Sequence, residues 1–174
     1  QRLGFVAALM VRYEAGPAVD ADRPSVPAAF ELERWPADDP SIPGDVPGSL
    51  EGTDVVVGAT IDGELVGYGI LSPRSVEVPE IGDVVEPEGV YLWDLYVDPV
   101  YRGRGLGTAL LWRARIDAIA ADTGTVEALV AADNEPSRRA FLSADFVPTE
   151  RLLALGWNGY TYQRTTQLGS APEA

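Results

Sequence analysis

The residues whose spacing carries the most chemistry are Arg102-Gly103-Arg104-Gly105-Leu106-Gly107. Three glycines in five residues let a backbone turn tightly and aim several N–H groups at one anion. The preceding run, Val90-Tyr91-Leu92-Trp93-Asp94-Leu95-Tyr96-Val97, is strand-like, and Leu106 to about Ala121 reads as an amphipathic helix. A helix that starts there adds N–H donors without partners and the positive end of its dipole. Arg102 and Arg104 place positive charge beside them. A strand, a Gly/Arg loop and a helix start together describe a pyrophosphate cradle, and so a nucleotide-containing cofactor.

Three phosphate-loop readings compete. A P-loop ends in Gly-Lys-Ser/Thr, whereas Gly107 is followed by Thr108 and Ala109, so that reading fails. A dinucleotide fingerprint fits at Gly103 and Gly105 but meets Thr108 where its last glycine belongs. Asp133 could imitate its ribose-binding acid, which keeps a nucleotide-dependent oxidoreductase as a distant alternative.

The third reading is a resemblance. Leu95 to Leu111, with its Val97-Asp98-Pro99 lead and its Arg102, Gly105 and Gly107, resembles motif A of the GCN5-related N-acetyltransferases. A second stretch, Val130 to Phe146 through Asn134, resembles that family's strand-Asn-helix-Gly-Phe segment. Asn134 suits a helix N-cap, with Glu135 and Pro136 in the first turn. Two departures stand out: Phe141 occupies the place where many members have a tyrosine, and Asp145 replaces the usual glycine before Phe146. The resemblance is specific from about Val55 to Phe146.

The resemblance implies an α/β acyl-CoA N-acyltransferase fold, with a mixed twisted sheet flanked by helices. It implies acetyl-CoA as cosubstrate, no metal, and a primary amine of a small molecule or peptide as acceptor, attacking directly in a ternary complex. Backbone groups of Leu95 and Val97 would bind the pantetheine arm, and the N–H of Tyr96 or Val97 would face the thioester oxygen. Amides of Arg102, Gly103, Arg104, Gly105, Leu106, Gly107 and Thr108 would hold the pyrophosphate, with Asn134 and Phe141 near the arm. The contrasting reading is a non-catalytic acyl-CoA-binding or sensing module. It draws on Phe141 and on Trp93, which stands where some relatives carry an acidic base.

A primary amine is mostly protonated at neutral pH, and only its neutral form attacks a thioester. Asp94, on the motif strand, is the first candidate for taking the proton, against a bland role in ordering a loop. Glu88 and Glu86 lie upstream in a Pro/Glu-rich stretch that suits solvated charge. Tyr160 or Tyr162 could replace the missing tyrosine acid, against ordinary strand aromatics. Tyr101 suits packing or an adenine-side contact. Arg138 and Arg139 suit phosphates or a solvated helix face, and Trp35 and Trp157 suit an acceptor wall or the core.

The chain has no cysteine and no histidine. That excludes disulfides, a thiolate nucleophile, a Ser-His-Asp relay and the commonest transition-metal ligands. A formal charge of −14 argues against nucleic acid or an anionic membrane as partner and favours a cationic acceptor. Arg2 and the apolar run Leu3–Val11 loosely imitate a signal peptide, but the run is short and Arg12 and Glu14 close it. A buried first element and a cytoplasmic location are the expectation. Edge strands leave room for a homodimer.

These residues need positioning elements. At 174 residues the chain suits one domain, 1–174, with the motif-bearing part at about 53–166. Leu3–Tyr13 is an apolar element of unsettled type. Residues 15–50, rich in Pro, Asp and Gly, form a variable stretch suited to covering the acceptor site, with a short helix expected at Pro27–Trp35. Asp54–Ile61 and Glu64–Ser72 are strands joined by Asp62-Gly63, a two-residue hairpin signal. Val76–Glu88 reads as a loop and Val90–Val97 as the motif strand. The motif helix ends near Gly124, and the strand Thr125–Ala132 follows. A helix at Glu135–Ala144 precedes an antiparallel pair, Phe146–Leu153 and Tyr160–Thr166.

Overall fold

The computed structural model describes residues 5–16, 29–44, 46, 50–120, 124–157 and 160–168, without the side chains at 5, 6, 119, 120, 157 and 160. Its strands are β1 (Phe5–Ala15), β2 (Glu31–Pro36), β3 (Val55–Ile61), β4 (Glu64–Ser72), β5 (Val76–Val78), β6 (Asp83–Val85), β7 (Val90–Val97), β8 (Val126–Ala131), β9 (Val147–Trp157) and β10 (Tyr160–Gln167). The helices are α1 (Leu106–Ala120) and α2 (Glu135–Ser143). Eight strands form one sheet in the order β10-β9-β1-β8-β7-β4-β3-β2, and β5 and β6 form a separate hairpin. The mixed sheet flanked by helices is the expected α/β architecture.

The unsettled first element is a strand, inserted between β8 and β9 with antiparallel pairing on both sides. Its two faces explain why the sequence pattern was ambiguous. Val11, Tyr13 and Ala15 pack toward the helices, while Met10 packs on the opposite face against Tyr91 and Leu152. A strand covered on both faces reads as a continuous apolar run rather than an alternating one.

Three other expectations need correction. The helix expected at Pro27–Trp35 is instead an edge strand over Glu31–Pro36, antiparallel to β3, with positions 27 and 28 outside the described residues. Pairing overrides local preference there, and Glu33 accepts a hydrogen bond from the Thr60 hydroxyl at 3.0 Å. The Val76–Glu88 loop contains the β5–β6 hairpin. Val76, Val78, Ile81 and Val85 turn inward onto Met10, Tyr91, Leu152 and Ala154. Pro79 and Glu80 occupy its turn, so the residues that read as loop are the exposed ones.

The Asp62-Gly63 turn forms as expected, with φ of 51° and 80° at its central residues. The motif helix α1 is not amphipathic. Leu106, Ala109, Leu110, Leu111, Trp112, Ala114, Arg115, Asp117 and Ala118 are all buried, at every phase of the helix. Its charges are satisfied internally: Arg113 pairs with Asp117 at 2.9 Å, and Arg115 donates to the carbonyls of Gly16 and Ala144 at 2.9 and 2.7 Å. Arg115 also lies over the Trp112 ring and thereby ties β1, α1 and the end of α2 together. Asp145, where relatives carry glycine, has φ 57°, a left-handed conformation that aspartate tolerates better than most side chains.

Candidate active site

The site begins where β7 and β8 part. These strands are the parallel pair at the centre of the sheet, yet their register covers only Val90↔Val126 and Tyr91↔Glu127. Beyond it the facing edges have no ladder partner across the gap. A cavity of about 160 Å³ opens there, with Leu92–Leu95 on one side and Ala128–Ala131 on the other. Asn134, Ser137 and Phe141 close its end from α2. Unpaired strand edges facing a gap can accept an extended, amide-bearing ligand as an added strand.

The gap runs into a second cavity of about 610 Å³, and Leu95, Asn134 and Ser137 line both. The larger one is built on the turn from β7 into α1. Asp98 caps a 3-10 turn at Pro99–Tyr101 by accepting from the Val100 N–H at 2.9 Å. Arg102 reaches back, its Nε donating to the Val97 carbonyl at 2.8 Å. Gly103 and Gly105 then adopt φ of 74° and 81°, left-handed conformations that would strain a side chain.

The way α1 starts tests whether an anion fits. Ala109 N–H donates to the Gly105 carbonyl, which makes Gly105 the cap, with Leu106, Gly107 and Thr108 in the first turn. A glycine cap has no side chain to satisfy those amides, and no acidic residue stands in the first turn. The start of α2 is the internal contrast. There the Asn134 side chain accepts from Ser137 N–H at 3.2 Å and Glu135 occupies the first turn. One helix start is satisfied by its own side chains, while the other presents its donors to a cavity. Such a start suits a diphosphate.

Asp94 occupies the other end of the gap. The β4–β7 register slips between Tyr68 and Ile70, so that Tyr68 faces Tyr96 and Ile70 faces Trp93. Asp94 and Leu95 fill this bulge, and Asp94 has φ 53°. Bulges re-aim side chains. The Asp94 carboxylate here receives a long hydrogen bond, 3.4 Å, from the Tyr68 hydroxyl. Desolvation raises the Asp94 pKa above the usual aspartate value, partly offset by that hydrogen bond. The Tyr68 phenol is pushed up to about 12 by burial and by the Asp94 charge, so it is a proton donor to Asp94 and no base. Tyr96 lies against Tyr68, with ring centroids 5.5 Å apart. Tyr68 is the site residue that sequence reasoning missed. Only the β4–β7 pairing reveals it, and no local pattern encodes that pairing.

The structure brings most of the expected residues together. Leu95, Tyr96, Val97, Arg102, Gly103, Gly105, Leu106, Gly107, Thr108 and Asn134 line the larger cavity. Arg104 does not line it; its guanidinium lies 5.6 Å from the Tyr101 ring centroid. Phe141 lines the smaller cavity but is a core residue, 2% exposed and packed between Tyr13 and Phe146. Glu88 is not brought to either cavity. It lies before the start of β7, where its N–H donates to the Glu127 carboxylate at 2.8 Å. Glu86 is likewise exposed outside both. Tyr160 opens β10, its side chain outside those described, and Tyr162 is exposed on the same strand.

Arg139 lines the larger cavity, whereas Arg138 is bound to the Tyr13 hydroxyl and the Ala132 carbonyl. Trp35 is core, packed with Val56, Tyr68 and Ile70. The Trp157 side chain lies outside those described. Among the described residues no helix is long and apolar enough to cross a membrane.

Comparison with known proteins bears on this geometry. The sequence model of the acetyltransferase (GNAT) family matches residues 25–146. An L-2,4-diaminobutyric acid acetyltransferase of Nocardia farcinica is 37% identical over 93 residues, 52% of this chain and 41% of that protein. An enzyme of the same name from Virgibacillus pantothenticus is 30% identical over 112 residues, 58% of this chain and 70% of that protein. The chain thus spans less than half the length of the first of these relatives. A GCN5-related N-acetyltransferase of Kribbella flavida shares the fold at a TM-score of 0.58 and 15% identity, over 90% of this chain and 61% of that one.

Proposed function

The chain belongs to the acetyltransferase (GNAT) family, and from that premise we propose that it moves the acetyl group of acetyl-CoA to the primary amine of a small acceptor, by direct attack in a ternary complex. The observation that carries the reading is the pair of adjoining cavities that leads from the glycine-capped start of α1, through the gap between β7 and β8, to Asp94. Amides of Gly103, Gly105, Leu106, Gly107 and Thr108 hold the diphosphate. The free edge of β7 at Leu95 and Val97 pairs with the pantetheine amides. Bound acetyl-CoA supplies a thioester whose acyl carbon is open to a neutral amine.

Asp94 supplies what the amine needs. Its carboxylate attracts an ammonium group and then holds the proton that must leave before nitrogen can attack. Its pKa, raised by desolvation, makes it a better base than an ordinary aspartate. Phe141 offers no proton to the departing sulfur. A thiol pKa of about 8.5 makes the thiolate a tolerable leaving group without one.

The acceptor follows from charge and from the named relatives. The protein is strongly acidic, and a carboxylate beside Tyr68 and Tyr96 suits a cationic amine. With two diaminobutyrate acetyltransferases among the similar proteins, a short diamine or diamino acid is the acceptor class. The test is incubation with acetyl-CoA and a panel of 2,4-diaminobutyrate, other diamines, aminoglycosides and peptides. The reading expects thiol release matched mole for mole by acetylated diamine. Tight acetyl-CoA binding with no acetylated product across the panel would replace it with the sensing module.

A further inference from the structure

A buried polar chain runs behind the acceptor end of the site without touching either cavity except through Trp93. The Trp93 Nε1–H donates to Ser72 Oγ at 2.7 Å, and the Ser72 hydroxyl donates to Asp54 Oδ1 at 2.7 Å. The second oxygen, Asp54 Oδ2, accepts from Arg74 Nη2 and from the Glu51 N–H, both at 2.9 Å. Asp54 is 1% exposed and Ser72 is fully buried. Burying a carboxylate is costly unless it is paired and hydrogen-bonded, and this one is both.

The direction of the chain is fixed by its chemistry. An ionised aspartate only accepts, so the single proton of Ser72 is committed to it. The lone pair of Ser72 is thereby left facing Trp93, whose indole can only donate. Trp93 has one ring orientation that satisfies this acceptor. Ser72 and Trp93 are diagonal neighbours across the β4–β7 pair, since Ser72 faces Tyr91 and Ile70 faces Trp93. Trp93 lines the smaller cavity beside Asp94, and its peptide leads directly into the left-handed residue.

We propose that Asp54 and Ser72 are positioning residues for the acceptor: they fix the Trp93 indole as a wall of the acceptor cavity and hold the bulge that presents Asp94. The inference rests on the proposed acetyl transfer and names what sets its acceptor geometry. It also accounts for a tryptophan at the position where some relatives place an acid. The indole would supply an aromatic face for a cation, with its N–H anchored on Ser72.

The experiment is a double-mutant cycle on the full chain with Ser72→Ala, Trp93→Phe and the pair. Steady-state kinetics for a diamine acceptor would be read beside acetyl-CoA affinity by calorimetry. Ser72→Ala is expected to lower kcat/KM for the amine roughly ten- to a hundred-fold, as small misplacements of reacting groups do, with acetyl-CoA affinity unchanged. In the Trp93→Phe background the same change is expected to add almost nothing, because its effect passes through the indole.

Asp54→Asn, which keeps the shape, is expected to follow Ser72→Ala, since an amide no longer fixes the hydroxyl's direction. A kinetically silent Ser72→Ala, effects that multiply in the double variant, or an equal loss of acetyl-CoA affinity would each overturn the inference in an active enzyme. A wild type that binds acetyl-CoA but acetylates no amine would overturn the proposed function, and this inference with it.

Discussion

At the residue scale, Asp94 is the proposed base. Its left-handed backbone in a bulge is a conformation that a β-strand does not supply by default, and it turns the carboxylate toward the Tyr68 hydroxyl. Asp94→Asn keeps the shape and removes the proposed base. It is expected to lower kcat about a hundred-fold or more while acetyl-CoA still binds, as steady-state rates beside a binding titration would check. Tyr68→Phe gives a test of sign. The Tyr68 hydrogen bond favours the charged carboxylate, so its loss raises the Asp94 pKa further. The acid limb of the pH–kcat profile, where activity grows as the base deprotonates, is expected to move to higher pH. A limb that moves to lower pH would remove Asp94 from the role of base.

At the scale of elements, the two helix starts do different work. Gly107 lies in the first turn of α1, where an added Cβ would approach Ala140 at 3.7 Å on the cavity wall. Gly107→Ala is expected to leave thermal stability unchanged or raised by up to about 1 kcal/mol, since alanine favours a helix. It is expected to weaken acetyl-CoA binding, because the methyl group would project into the proposed diphosphate cradle. Asn134→Ala is expected to show the reverse priority, losing about 1 kcal/mol of stability with its cap, as thermal denaturation would show.

This contrast marks what the sequence could reveal. Glycines and caps act locally, so the strand-loop-helix around Arg102 and the Asn134 cap were legible from neighbouring residues alone. The strand Glu31–Pro36 and the hairpin at Val76–Val85 were not, because each is stabilised by a partner distant in the chain. Tyr68 and Ser72 escaped for the same reason. Their importance exists only once β4 lies beside β7.

At the scale of the whole molecule, β1 decides how the sheet is joined. It lies between β8 and β9, and its Val11, Tyr13 and Ala15 are buried in the same core as α1 and α2. Arg12 bridges Glu127 of β8 at 2.7 Å and Glu150 of β9 at 3.0 Å. Removing residues 1–15 is therefore expected to abolish cooperative folding, observed as loss of a sharp thermal transition. The net charge of −14 acts over the same scale. It is expected to make kcat/KM for a divalent diamine fall more steeply with ionic strength than for a monoamine, because screening shortens the reach of the acidic surface. All of these effects presuppose that acetyl-CoA occupies the cradle between β7 and α1. Calorimetric titration of acetyl-CoA into the wild type and Gly107→Ala tests that most directly. The expected result is saturable one-to-one binding that the substitution weakens at least about ten-fold, the equivalent of about 1.4 kcal/mol. No heat of association, or identical affinity in the two proteins, would contradict it.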